Sequence, residues 1–425
     1  MQEHFTSGQT DYKAAILQHI EEPAVLEQLY RTDAQAFGRT FSQIYPMIKD
    51  QVIAQVWFER LNHQTSTSSS SMRRDWIYIF IATLVAGLLM KLPHFFNLKD
   101  DVFYPRNIAF AVFPMLSAFI VWRKGLRLNS IILPLAVTAI ATIYINFLPT
   151  DGARDTILLA CIHLPLLLWA VHGFIFTVDA RHSFSARISY LRYNGDLLVM
   201  TALISIAAMI FSMITFGLFN MIGLDIERFW EQYIIIWAAP AVPILANVLV
   251  RENPALVNRI SPLIARIFTP LVLAMLVIFL GTMVFTGKNP YQDREFLLIF
   301  NALLIGVMAL IIFSVSEATK GGYSRGRLIL LLALSAFTII DNGIALSAIS
   351  FRLLEFGLTP NRLAVLGGNL LIMTHLLIVT RRLLLVVRKQ DAIEGVEKAI
   401  AGFLPVYALW TIVVVFGFPL FFGFR

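Results

Sequence analysis

Charge is scarce in this 425-residue chain: Asp, Glu, Lys and Arg make up 14% of it, against roughly a quarter in a soluble domain. Hydrophobic residues are 58% and the mean hydropathy is +0.72, so too few polar side chains remain to coat a water-facing surface. That shortage excludes an ordinary soluble globule and makes a bilayer the main solvent. Cysteine is nearly missing too. The single Cys161 lies in an apolar run, which excludes intramolecular disulfides and thiolate metal clusters; it reads as a small buried hydrophobe. No HExxH or comparable histidine–carboxylate spacing occurs, so a zinc protease is not supported, and no metal or cofactor is expected. Lys320-Gly-Gly-Tyr-Ser-Arg-Gly-Arg327 lacks the phosphate-loop spacing and follows no strand; it reads as a basic loop near anionic headgroups. No early apolar run suggests a cleaved leader. The first long one starts near Trp76 and is expected to stay as a helix.

What is present is a series of apolar runs with short polar breaks. A span needs about 20 apolar residues, and runs of that kind lie at about 76–92, 107–122, 128–148, 155–178, 197–222, 233–250, 267–286, 296–316, 328–350, 362–380 and 400–420. The predicted fold is an all-α polytopic transmembrane bundle of about eleven spans. Loop charge orients it. Alternate breaks carry Arg73 and Arg74; Arg123, Lys124 and Arg127; Arg181, Arg187 and Arg192; Arg251, Arg259 and Arg266; Lys320, Arg325 and Arg327; and Arg381, Arg382, Arg388, Lys389 and Lys398. The opposite breaks hold fewer basic residues and most of the acidic ones, including Asp100, Asp101, Asp151, Asp155, Asp293 and Glu355. Basic loops stay in the cytoplasm, so the N-terminus is predicted inside and the C-terminus, Arg425, outside. The same rule accounts for the net charge of +7 without nucleic acid as a partner. The location implied is a cytoplasmic membrane, with the lipid bilayer as the principal partner.

Residues 1–62 read as a small cytoplasmic helical domain. Phe37, Phe41, Ile44, Tyr45, Ile48, Val52 and Val56 form a stripe at helical period, with Asp33 placed to cap it and Pro46 placed to kink or split it. A shorter helix is predicted from Pro23 to about Tyr30. These helices would form a miniature bundle or lie on the membrane face, and the domain is a candidate dock for a protein partner. Residues 63–74 include a Ser/Thr run and read as a linker, and 75–425 form the transmembrane domain.

Polar groups inside spans are costly, and each is a candidate for function. Asp341, followed by Asn342 and Gly343, stands midway along a span, where a carboxylate must be paired, hydrated or protonated. It is the leading candidate for proton or substrate binding. His163 and His172 share one side of their helix about 13 Å apart, too far for one metal ion. With His375, they are candidates for a proton relay, each weighed against a plain interior hydrogen bond. Proline-interrupted spans, above all Ala238 to Pro243, suggest the broken helices that frame transporter sites. In the first outer loop, about 14 residues long, Asp100 and Asp101 with Arg106 are the one enzyme-like signal, of the kind seen where lipid-linked sugars are transferred; a solvated loop is the alternative.

Gly357-Leu-Thr-Pro-Asn-Arg362 opens a span, with Thr359 as cap, Pro360 at the first helical position and Arg362 at the boundary, in reach of Glu355 or an anionic substrate. Together with Phe103-Tyr-Pro-Arg-Asn107, this motif resembles an uncharacterised family of bacterial multi-span inner-membrane proteins, a domain of unknown function. The resemblance covers roughly residues 75–420 and implies a bacterial inner membrane and many helices, and no activity. Three functions stay open: a transporter or permease, proton-coupled through Asp341; a non-catalytic membrane scaffold or sensor docking a partner through residues 1–62; and an enzyme acting on a lipid-linked substrate.

Overall fold

The computed structural model describes residues 12–150, 154–252, 254–286, 291, 294–318 and 324–424. Asp151, Asp293, Lys320 and Arg425, named in the loop-charge reading, lie outside the described residues. Among the described residues every regular element is helical. The chain divides into two compact units, Met1–Tyr78 and Ile79–Arg425.

The first unit is a miniature bundle. Its helices are α1 (Tyr12–Gln18), α2 (Pro23–Thr32), α3 (Ala34–Ile48) and the opening turns of α4 (Val52–Phe96). Pro23 starts α2, and the Asp33 carboxylate caps α3 by accepting from the Ala36 N–H at 2.9 Å. Ile16, Leu26, Phe37, Phe41, Ile44 and Trp57 fill the core. The expected stripe is cut short. Pro46 has no N–H to continue the ladder, α3 ends at Ile48, and the chain re-enters helix at Val52. The break resets the helical phase, so Ala54 and Trp57 face the core while Val52 and Val56 are exposed, contrary to the sequence pattern. Segment 63–74 is also helical, within α4, where the composition suggests a linker. Ser and Thr cost only a few tenths of a kcal/mol each relative to better helix formers, and flanking turns propagate through them.

The second unit is an all-α bundle. Among the described residues eleven helices are long and apolar enough to cross a membrane, making this a multi-pass membrane protein. After α4 come α5 (Asp100–Lys124), α6 (Leu128–Phe147), α7 (Asp155–Phe176) and α8 (Phe184–Met221). The sixth span joins α9 (Glu227–Phe229), a π-helical turn (Trp230–Ile235) and α10 (Ile236–Glu252). Then follow α11 (Pro254–Thr286), α12 (Arg294–Ala318), α13 (Arg325–Phe356) and α14 (Pro360–Val387). The last span joins α15 (Ile393–Ile412), a second π-turn (Val413–Gly417) and α16 (Phe418–Phe421).

Several breaks differ from the sequence reading. The turn between α4 and α5 is Asn97 to Lys99 alone, so the second span is a full 25-residue helix. Arg187 and Arg192, counted as loop charges, lie within α8. Arg381 and Arg382, also counted as loop charges, lie within α14, Lys398 lies within α15, and the turn between the two helices holds Lys389 at φ 60°. The Ala238–Pro243 stretch remains helical, and the irregularity falls just before it. Pro240 offers no donor to the Ile236 carbonyl, and Pro419 none to that of Val415, so each proline loosens the turn on its N-terminal side into a π-turn.

The largest apolar cluster joins α8 and α11 to α15, through Leu191, Leu276, Ile311, Leu334, Leu376 and Ile400 among others. A second joins α5, α6 and α7 to the second π-turn.

Candidate functional site

Helices α13 and α14 form a hairpin closed by Gly357, Leu358 and Thr359. Gly357 takes φ 79°, a left-handed value that favours glycine. The Thr359 hydroxyl accepts from the Arg362 N–H at 3.4 Å, and the Arg362 guanidinium donates to the Phe356 and Gly357 carbonyls at 2.6 Å each. Arg362 thus closes the C-terminal end of α13. Its hydrogen bonds go to these carbonyls rather than to Glu355.

In an antiparallel pair, residues equally far from the turn stand at the same depth. Asp341 is fifteen residues before Phe356 and His375 fifteen after Pro360, which puts both about 22 Å from the turn. The packing agrees, since a Cβ on Gly343 would lie 4.0 Å from Met373 Cε. Asp341 is therefore at the middle of a 32-residue helix.

Asp341, Asn342 and His375 are each 0% exposed. Neither carboxylate oxygen of Asp341 has a hydrogen-bond partner, and neither does either side-chain polar atom of Asn342. His375 pairs through Nδ1 with the Tyr407 hydroxyl of α15 at 3.0 Å and stacks on Phe403 with ring centroids 4.5 Å apart. Its Nε2 is unpartnered. Asn369 of α14 donates to Asn301 Oδ1 of α12 at 2.7 Å. Thr338 and Ser335, next along the buried face of α13, turn their hydroxyls onto their own helix carbonyls at Leu334 and Leu332. On one side of Asp341 lies the large apolar cluster, with Leu334, Leu331 and Leu328; on the other lies a small one of Phe300, Leu304 and Ala345. Asp341, Asn342 and His375 thus form a buried polar layer between two apolar clusters.

No protein-family model, curated protein or solved structure matches this chain. Its chemistry has to be read from its own side chains.

The other sequence candidates stand apart from this layer. His172, buried, meets the Ser117 hydroxyl through Nδ1 at 3.1 Å and packs among Phe113, Tyr190 and Tyr193, with Nε2 unpartnered. Gly173 lets Tyr190 pack this closely, because a Cβ there would lie 2.6 Å from the ring. His163, half-buried, spends Nδ1 on its own helix at Leu159 O, 2.9 Å away. Asp100 and Asp101 are exposed in the first turn of α5, where a helix N-terminus favours negative charge. Arg106 turns away into the bundle and donates to the Leu148 and Pro149 carbonyls at 2.9 and 2.8 Å.

Three features escaped the sequence reading. Tyr407 joins the polar layer from a helix distant in sequence, and Asn301 meets Asn369 about two helical turns nearer the hairpin end. Arg192 of α8 donates to Ser316 O and pairs with the buried Glu317 of α12 at 3.5 Å. Lys91, near the end of the first span, is only 5% exposed. A lysine inside an apolar run was the available signal for it.

Proposed function

We propose that this chain is a proton-coupled transporter of the permease type, with Asp341 as the group that takes up and releases the proton. One observation carries the reading: at the middle of a span, a carboxylate with 0% exposure has both oxygens without a hydrogen-bond partner. An ionised, unpaired carboxylate is unstable in such a place. Asp341 is at ease there only when protonated or when a cation arrives, so its charge is tied to whether the bundle is open or closed. His375, at the same depth with a free Nε2, is a partner for proton exchange once the layer admits water. Asn342, Asn369 and Asn301 supply neutral polar groups for a substrate. The membrane is proposed to be the bacterial inner membrane, with the N-terminus inside, on the strength of the loop charges and the motif resemblance.

The test is proton flux. Purified protein in liposomes loaded with a pH-sensitive dye, with a small-molecule extract of cells as the source of substrate, should dissipate an imposed pH gradient faster than empty liposomes, and Asp341→Asn should return the rate to that baseline. Equal flux in the wild type and in Asp341→Asn would sink the proposal.

A second reading, a scaffold that docks a protein through its N-terminal unit, is favoured by the exposed Met47, Val52 and Val56 on that unit. In a growth assay that depends on the gene, loss with Val52→Glu and Val56→Glu but not with Asp341→Asn would favour this second reading. The lipid-linked enzyme draws no support from the geometry around Asp100 and Asp101.

A further inference from the structure

Among the described residues of the second unit Lys91 is the one buried lysine, and its surroundings do not neutralise it. Two residue layers join α4 to the sixth span. In the deeper layer Gly87 lies against the Trp237 ring so closely that a Cβ would overlap it. One turn further along each helix, the Lys91 ammonium sits 4.1 Å from the centroid of the Tyr233 ring, on the π-turn Trp230–Ile235. Among the described residues no carboxylate lies within ion-pair distance of Lys91, and Glu231, two residues from Tyr233, is exposed. A ring face recovers only part of the hydration that a buried ammonium gives up.

The next layer towards the helix end is aromatic and exposed: Phe95 and Phe96 on α4, and Phe229, which stacks on Tyr233 at 5.3 Å. In a membrane protein these rings face lipid, at the level where aromatic residues mark the headgroup boundary. Lys91 is about 7.5 Å along the axis from Phe96, within snorkelling reach of that boundary. An anion there would meet the ammonium from the lipid side while acyl chains lie on the rings.

We propose that Lys91 and Tyr233 form a phosphate-binding site whose occupant is the headgroup of an anionic lipid. The ammonium supplies the charge, Tyr233 fixes its position, and the π-turn sets the ring at the required height. Plain snorkelling of Lys91 to bulk headgroups is the competing account, and it predicts no selectivity between lipids.

The experiment uses the full chain in neutral detergent. Its thermal unfolding is followed with added phosphatidylglycerol, phosphatidylcholine or inorganic phosphate, for the wild type, Lys91→Gln and Lys91→Arg. Phosphatidylglycerol is expected to raise the Tm of the wild type and of Lys91→Arg by several degrees above phosphatidylcholine, with at least half of that difference lost in Lys91→Gln. A Lys91-dependent rise with inorganic phosphate as well would support the same site with a soluble source. No selective rise, or one equally large in Lys91→Gln, would overturn the proposal. Should Lys91→Gln not survive purification, native mass spectrometry of the wild type decides: one phosphatidylglycerol retained more firmly than phosphatidylcholine supports the site, and equal loss of both overturns it.

Discussion

Asn369 donates a hydrogen bond to the Asn301 side chain across 2.7 Å, tying α14 to α12 beside the polar layer that holds Asp341. Interhelical bonds of this kind within a membrane contribute about 0.6 kcal/mol on average and up to about 1.7. Asn369→Ala and Asn301→Ala should each destabilise the bundle by about 1 kcal/mol, and the double variant by less than their sum. A double-mutant cycle on detergent or steric-trapping unfolding measures this; strict additivity would mean that the pair is not coupled.

Asp341→Asn should unfold no earlier than the wild type. A charged residue at a helix centre in the bilayer costs about 2.5–3.5 kcal/mol on insertion scales, and no hydrogen bond to Asp341 is lost in the exchange. Thermal unfolding at neutral pH decides. A fall in Tm of several degrees would make Asp341 a structural residue and remove the reason for assigning it to proton exchange.

The N-terminal unit should lose stability in acid through Glu27. Hydrogen bonds from Arg60 at 2.7 Å and Arg31 at 2.8 Å hold its carboxyl below the ordinary value of 4.5. A carboxylate depressed on folding stabilises the fold above its unfolded value, and that contribution fades as pH falls through the lower, folded value. Hydrogen exchange in α2 and α3 of the full chain should therefore speed up below about pH 4.5 more in the wild type than in Glu27→Gln. Exchange that rises equally in both would assign the acid sensitivity to other groups.

Glycine at 195 and 367 is required by neighbours rather than by backbone angle. A methyl group at Gly195 would overlap the Phe313 ring, and one at Gly367 the indole of Trp410. Overpacking of this sort costs about 1–3 kcal/mol. Gly195→Ala should lower stability by that amount, with Phe313→Leu restoring part of it, whereas Gly306→Ala, with open space around its position, should be nearly neutral. Unfolding curves for the three variants give the comparison.

The spans were legible because hydropathy acts over twenty residues at once and needs no partner. Asp341 was legible for the same reason, as a charge in an apolar run. What surrounds it was not. Tyr407 meets His375 from 32 residues away, and Asn369 meets Asn301 from 68, pairings that only helix packing creates. Arg362 misled for the opposite cause: its charge suggested a substrate, while its position one turn into α14 lets it serve the carbonyls that end α13. Val52 and Val56 fit the helical stripe in number and failed in phase, because three residues after Ile48 leave the helix.

Asp341 stands at the centre of α13, so any proton that reaches it from either face has crossed about half the membrane's electrical drop. Moving a whole elementary charge through 100 mV is worth about 2.3 kcal/mol, so half the drop is worth about 1.2, roughly a sevenfold bias in occupancy. Under the proposed proton exchange, Asp341 therefore senses voltage as well as pH. A cell could change how often this carboxylate is charged by altering its membrane potential alone.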